Sequence, residues 1–209
     1  MNEKIFKYYD KLSKKAINPL VTRNKAKDST PYDVDFIKKF ADKEKVLLDL
    51  GSGTGLIINN LVENFKKIIA VEKYKEFSKF IDKRIKVINR DLKEFNFNLN
   101  FDIITIFGVM NYFSYSEAEE LYNKIYNSFD GILIIKNQFG VKEDVIVDGF
   151  SEELNEYYFS EYRALDKEIE LLKKTGFFVK DVVDIYPKEY NRWDNTHFYA
   201  IVCEVKDKK

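Results

Sequence analysis

Val46-Leu47-Leu48-Asp49-Leu50-Gly51-Ser52-Gly53-Thr54-Gly55 governs the reading of the whole chain. Four apolar residues and one acid run into three glycines at alternate positions, and Leu56, Ile57, Ile58, Leu61 and Val62 follow with helical spacing. A short continuous apolar run suits a strand buried on both faces of a parallel sheet. The glycines suit a sharp turn out of it, because a side chain there would hold the backbone away from a ligand and the turn needs positive φ. In open α/β sheets ligands bind at the carboxyl ends of the strands. The stretch predicts a cofactor seated on a strand-to-helix turn, with the helix over 56–65.

Outward from it the pattern repeats. Lys67-Ile68-Ile69-Ala70-Val71-Glu72 is an apolar strand ending in an acid, and a short helix falls over 74–82. Residues 85–91 form a third strand, ending in Asp91; 101–107 form a fourth, ending in Phe107. A helix over 116–129, opened by Ser114, Ser116, Glu117 and Glu119, leads to a fifth strand over 131–136. Strands alternating with helices imply a parallel sheet with right-handed crossovers. A helix around Leu165–Leu172 stops at Gly176, and strands over 177–186 and 197–205 follow. The stretch from Pro187 to Thr196 is too short for a crossover helix, so these two pair antiparallel. The expected fold is α/β, a doubly wound, mostly parallel seven-stranded sheet with an antiparallel last strand, in one domain over 31–209. Residues 140–162 break the rhythm and read as an excursion over the substrate side. Residues 1–30 carry an amphipathic helix over 3–15, broken near Asn18-Pro19, and read as a surface appendage or a lid.

Composition narrows the function classes. Lys+Arg and Asp+Glu each number 35 in 209 residues, so the chain lacks the overall basic field that nucleic acid or anionic lipid favours. One cysteine, Cys203, excludes an intrachain disulfide and a thiolate metal cluster. The amino terminus has no apolar core of a signal peptide, and no apolar run approaches the ~20 residues of a membrane span. The expectation is a cytoplasmic protein with a small-molecule substrate, no nucleic-acid or membrane partner and no metal.

A dinucleotide fingerprint G-x-G-x-x-G counted from Gly51 and Gly53 would put its third glycine at position 56, which is Leu56. The extra glycine stands at Gly55 instead. With this acid and glycine spacing, Glu72 ending the second strand and Asp91-Leu92 ending the third, the chain resembles the class I S-adenosylmethionine-dependent methyltransferases over about residues 30–205. The resemblance implies a Rossmann-like fold and S-adenosylmethionine as cofactor, with S-adenosylhomocysteine as product. It implies that Asp49, Gly51, Ser52, Gly53 and Gly55 form the cofactor turn, and that Glu72, with Lys73 beside it, grips the ribose hydroxyls. Asp91 and the Leu92 amide would meet the adenine, and Phe107 would line the methionine. Family members that methylate nucleic-acid amines carry a proline-containing motif after the fourth strand, which Gly108-Val109-Met110-Asn111-Tyr112-Phe113 lacks.

Candidates at the substrate mouth are Asn111 and Tyr112 after the fourth strand, Asn137 and Gln138 after the fifth, and Tyr190, Arg192 and Trp193 between the last two. His197, the only histidine, is the candidate base. Arg192 or Lys136 would pair with a phosphate or carboxylate. The expected reaction is methyl transfer to oxygen or nitrogen of a small polar metabolite. Similar small, lysine-rich bacterial enzymes modify sugars or phosphorylated precursors of surface polysaccharide. The competing classes are a non-catalytic cofactor-binding subunit and a nicotinamide-dependent oxidoreductase.

Overall fold

The computed structural model describes residues 3–23, 27–152, 155–191 and 193–205. A helix Glu3–Lys14 (α1), a 3-10 turn Pro19–Arg23 and a helix Thr30–Lys38 (α2) precede the first strand, Val46–Leu50 (β1). Then come β2 (Lys67–Val71), a single turn of helix α3 (Lys75–Ser78), β3 (Lys86–Ile88), β4 (Ile103–Phe107), α4 (Tyr115–Ser128) and β5 (Ile132–Gly140). The chain continues with β6 (Val145–Ser151), β7 (Glu156–Tyr162), α5 (Leu165–Lys174), β8 (Phe177–Val183) and β9 (Thr196–Val205). Seven strands form one sheet in the order β3-β2-β1-β4-β5-β9-β8, and only β9 runs antiparallel to its neighbours. This is the doubly wound sheet expected from the sequence.

Alternation along the buried strands sends residues to two apolar layers. Leu48, Leu50, Ile104, Ile106, Leu133 and Ile135 pack against Leu121, Tyr122 and Ile125 of α4 and Leu171 and Leu172 of α5. Leu47, Ile68, Ile103 and Ile134 pack against Val34, Phe36 and Ile37 of α2. Ser114 caps α4, accepting from the Glu117 amide while Glu117 Oε2 accepts from the Ser114 amide at 3.0 Å. Inside the α4–α5 layer Arg163 Nε donates to Glu168 Oε2 at 2.5 Å, and the Tyr122 hydroxyl donates to the other Glu168 oxygen. Charges this deep persist only when paired.

The helix expected over 56–65 is replaced by two 3-10 turns, Ile58–Asn60 and Val62–Asn64. The asparagines redirect the chain. Asn60 Nδ2 donates back to the Leu56 carbonyl at 2.8 Å; Asn59 donates to the Phe80 carbonyl at 3.0 Å and accepts from the Asp82 amide at 2.8 Å. Asn side chains that satisfy backbone groups in this way compete with helix hydrogen bonds, and the β-branched Ile57, Ile58 and Val62 lower helix propensity further.

The fifth strand also runs past its expected end at 136, to Gly140. Asn137 and Gln138 therefore sit inside β5, paired with Tyr199 and Phe198, and both are buried. Gln138 Nε2 donates to Thr196 Oγ1 at 2.7 Å, which makes it a rung between strands rather than part of a mouth. Within the segment 140–162, β6 and β7 pair as a separate two-stranded antiparallel sheet. α1 lies against β7 and α3, where Tyr8, Leu12, Ala16 and Phe77 form a third apolar cluster with Tyr158 at its edge. Among the described residues no helix is long and apolar enough to cross a membrane.

Candidate active site

The glycine turn and the carboxyl ends of β1, β2 and β4 floor a cavity of about 280 Å³. Gly51 has φ +77°, and a Cβ there would lie 2.5 Å from Val109 Cγ2, so only glycine fits. Gly53 also has positive φ, but a Cβ on it would meet nothing nearer than Thr22 Cγ2 at 3.7 Å. Its bare backbone borders open space inside the cavity. Ser52 lines the same wall and donates through Oγ to the Asp49 carbonyl at 3.0 Å. Gly55 does not line the cavity; it packs against Asn59 and Ile81 beneath the turn.

Glu72 follows β2 and is buried at the cavity wall. One carboxylate oxygen accepts from the Gly53 amide and the other from the Tyr74 amide, both at 2.8 Å. Burial pushes the carboxyl above its ordinary range, against the pull of these amides. Each oxygen keeps a second lone pair for a ligand hydroxyl. Asp49, on β1, accepts from Thr105 Oγ1 of β4 at 2.6 Å, and burial raises its pKa too. Asp91 faces the cavity at the far end. Its Oδ1 accepts from the Lys93 amide at 3.0 Å and its Oδ2 from Lys73 Nζ at 2.9 Å. Burial pushes Asp91 up, but these bonds and the two lysine charges outweigh it and hold the carboxyl low. Leu92 begins a 3-10 turn, so its amide has no acceptor within that turn.

α1 roofs the cavity with Ile5, Phe6 and Tyr9. The Phe6 ring lies 3.6 Å from Lys73 Nζ, and the Tyr9 hydroxyl bonds that of Tyr112. Tyr112 also borders a second, smaller hollow walled by Asn111, Phe159 and Glu161. Burial keeps the Tyr9 and Tyr112 hydroxyls protonated far above neutral pH. Asn111 is buried with Nδ2 donating to Ser160 Oγ of β7 at 2.7 Å; it borders only the smaller hollow. Across the sheet from Asp91, on the same side as Tyr112, β4 and β5 bring Phe107 and Lys136 to the cavity, and Arg23 lines it too. Arg23 Nη1 donates to Ser29 Oγ at 2.9 Å, while its Nε is buried without a hydrogen-bond partner among the described residues.

The structure thus brings together Asp49, Gly51, Ser52, Gly53, Glu72, Lys73, Asp91, Leu92, Phe107 and Tyr112 around one cavity. His197 stands apart. It shares a β9 row with Tyr199, its ring 4.4 Å from that of Tyr199, and Nε2 lies 2.8 Å from Asp184 Oδ2 without hydrogen-bond alignment. It does not line the cavity, because strand alternation puts it on the opposite sheet face from Lys136. Tyr190 packs edge-on against Tyr32 and tilted against Tyr186, and Trp193 lies beside Tyr162; neither lines the cavity. Arg192 lies outside the described residues. Sequence reasoning missed Phe6, Tyr9 and Arg23. The first two sit with Ile5 on one face of α1, a spacing that was readable; nothing in the sequence marks Arg23.

Residues 47–135 match the family model of a methyltransferase domain. The matched stretch holds the glycine turn, Glu72 and Asp91. No curated protein matches the chain in sequence. Among solved structures the chain is similar to an S-adenosylmethionine-dependent methyltransferase from Clostridium acetobutylicum ATCC 824. The two are 18% identical with a TM-score of 0.67, over 95% of this chain and 99% of that one. A DhpI-SAM-HEP complex aligns at 13% identity and a TM-score of 0.73, over 98% and 99% of the two chains. The glycopeptide N-methyltransferase MtfA, complexed with S-adenosyl-L-methionine, aligns at 12% identity and a TM-score of 0.68, over 87% and 96%. These likenesses show the fold.

Proposed function

We propose that the protein transfers the methyl group of S-adenosylmethionine to oxygen or nitrogen of a small polar metabolite, releasing S-adenosylhomocysteine. The observation that carries this reading is Glu72: a buried carboxylate fixed by two backbone amides at 2.8 Å beside a bare glycine turn, with lone pairs left for two ribose hydroxyls. Asp91 and the Leu92 amide take the adenine edge, with Lys73 holding Asp91 in place. Asp49, Gly51, Ser52 and Gly53 face the methionine, Phe107 lines it, and Arg23, whose Nε makes no hydrogen bond among the described residues and lies 3.7 Å from Asp28 Oδ1, meets its carboxylate. When bound, the cofactor supplies an activated methyl group, so the protein's task is chiefly alignment. Well-oriented reactants gain on the order of 7–11 kcal/mol in this way.

The acceptor enters beside Tyr112, where the cavity meets the smaller hollow. Hydroxyls that stay protonated suit a neutral hydroxyl or amine, as on a sugar; a phosphorylated precursor would need a cation such as Arg23. α1 acts as a lid over both ligands. The equal numbers of acidic and basic residues support a small molecule over nucleic acid. The test is calorimetry with S-adenosylhomocysteine and NADH, followed by labelled S-adenosylmethionine with pooled bacterial metabolites. Binding of the homocysteine nucleoside and label transfer to a small molecule are expected; binding of NADH alone would overturn the reading. One observation favours the non-catalytic alternative: Phe150 and Tyr157 pack ring to ring at 5.3 Å on the β6–β7 sheet, each about half exposed. Cofactor binding with no turnover in any pool would select it.

A further inference from the structure

Lys136 follows Ile132 and Ile134 in the row on the α2 side of β5, directly across from Phe107 of β4. It is 5% exposed and lines the cavity. Its Nζ stands 5.2, 5.5 and 5.9 Å from the ring centres of Phe107, Tyr186 and Phe198. The nearest anion is Asp33 Oδ1 of α2, at 3.5 Å. That carboxylate is heavily shared. Oδ1 accepts the Tyr186 hydroxyl, while Oδ2 accepts Ser29 Oγ at 3.2 Å and lies 3.5 Å from Arg23 Nη2. Two cations therefore lean on one buried carboxylate at the end of the cavity where the proposed function seats the methionine. A sulfonium arriving there adds a third positive centre.

We propose that Lys136 is the proton acceptor of the methyl transfer: the bound sulfonium displaces its proton, and the amine so formed takes the proton of the methyl acceptor. This rests on the cofactor reading above. In the transfer a lone pair of the acceptor oxygen or nitrogen bonds the methyl carbon, and the carbon–sulfur bond breaks with its electron pair going to sulfur. The acceptor's proton passes to Lys136 Nζ, restoring the ammonium beside Asp33. The next cofactor molecule sends that proton to solvent and resets the site. Before cofactor binds, the three ring faces and Asp33 favour the ammonium. Burial already lowers it from the ordinary lysine range, Asp33 opposes that fall, and Arg23 adds to it. The groups facing Nζ are Asp33 from α2, Arg23 from the turn before it and Tyr186 from the segment after β8, with Phe107 and Phe198 uncharged. A lysine desolvated in such surroundings is a suitable base.

The test needs no knowledge of the acceptor. The full chain is titrated with S-adenosylmethionine and with S-adenosylhomocysteine, at mildly alkaline pH, in two buffers of different ionisation enthalpy. The two ligands share the same amino-acid tail, so the difference between them isolates the sulfonium charge. Proton release with S-adenosylmethionine well above that with S-adenosylhomocysteine is expected, and Lys136→Met should remove the excess. Correspondingly, the affinity ratio of the two ligands should rise with pH by up to about tenfold per unit in the wild type and stay flat in the variant. Lys136→Arg keeps the charge but cannot shed it, so it should show no excess release and discriminate against the sulfonium. Equal proton release for the two ligands, or an excess that survives either substitution, overturns the inference while leaving the cofactor reading intact. Failure of both ligands to bind the wild type overturns both.

Discussion

Replacing Glu72 by Gln changes one atom and tests the site at its most constrained point. Each oxygen of the carboxylate accepts a backbone amide at 2.8 Å, one from the glycine turn and one from Tyr74. An amide side chain must turn its –NH₂ toward one of those donors, so one bond is lost and a buried N–H is left facing another. A hydrogen bond to a charged group contributes about 1.5–3 kcal/mol, and the same range applies to the ribose bond that the nitrogen can no longer accept. At about 1.4 kcal/mol per decade, S-adenosylhomocysteine affinity should fall roughly 10- to 150-fold. The loss of fold stability should be smaller, because burial disfavours the ionised carboxylate and the neutral amide relieves that desolvation. Calorimetry measures the affinity and urea unfolding the stability. An affinity within about threefold of wild type in a folded variant would show that Glu72 serves the turn alone, since 1.5 kcal/mol is already more than tenfold.

Acidification from neutral pH should weaken S-adenosylhomocysteine binding as pH falls through the raised pKa of Glu72, because the ionised form is the ribose acceptor; the decline starts above the ordinary 4.5 and is absent in Glu72→Gln. Gly51→Ala should destabilise the unliganded protein by at least about 1–2 kcal/mol, since it adds a Cβ 2.5 Å from Val109 to the cost of positive φ. Gly53→Ala meets no such clash, so thermal unfolding should show a milder loss of stability while cofactor affinity drops sharply. Arg163→Ala leaves Glu168 buried without its cation and should cost about 3–5 kcal/mol in urea unfolding, with the seven-stranded fold as the only thing at stake. Saturating S-adenosylhomocysteine should slow tryptic cleavage at Lys4, Lys7 and Lys11, since Ile5, Phe6 and Tyr9 of the same helix wall the cavity.

What the sequence revealed follows physical periodicity. Strands buried on both faces are largely apolar, so β1, β2 and β4 announced themselves, and the acids at 49, 72 and 91 stood out within or just after such runs. Helices were readable where a capped amphipathic stripe existed, as at Ser114 and Glu117. The run after Gly55 carried the right apolar spacing, yet Asn59 and Asn60 bind backbone groups from 56 to 82 and break it into turns. Apolar spacing reports which side is buried; it does not report which local hydrogen bonds win. β5 exceeded its expected end because Asn137 and Gln138 are polar yet buried between strands, and Thr196, which accepts from Gln138, is 58 positions away and invisible to a local window. His197 drew attention by its chemistry alone, and strand alternation, readable only once β9 is in register, turns it from the cavity. Lys136 showed the converse: a cation midway along β5, whose surroundings come from α2, β4, β9 and the segment between β8 and β9.

The roof helix is not free to act alone. Lys4 Nζ reaches Asp148 at 2.6 Å, Lys11 Nζ donates to the Asn155 carbonyl at 2.7 Å, and Tyr8 packs edge-on against Tyr158, so α1 and the β6–β7 ribbon are fastened together. One rigid unit then shuts off nucleoside and acceptor at once. On the proposed function, a roof fastened in this way predicts ordered addition, nucleoside first and acceptor second. Where release of product waits on that roof, steady-state rates are expected to respond to solvent viscosity more than to the nucleophilicity of the acceptor.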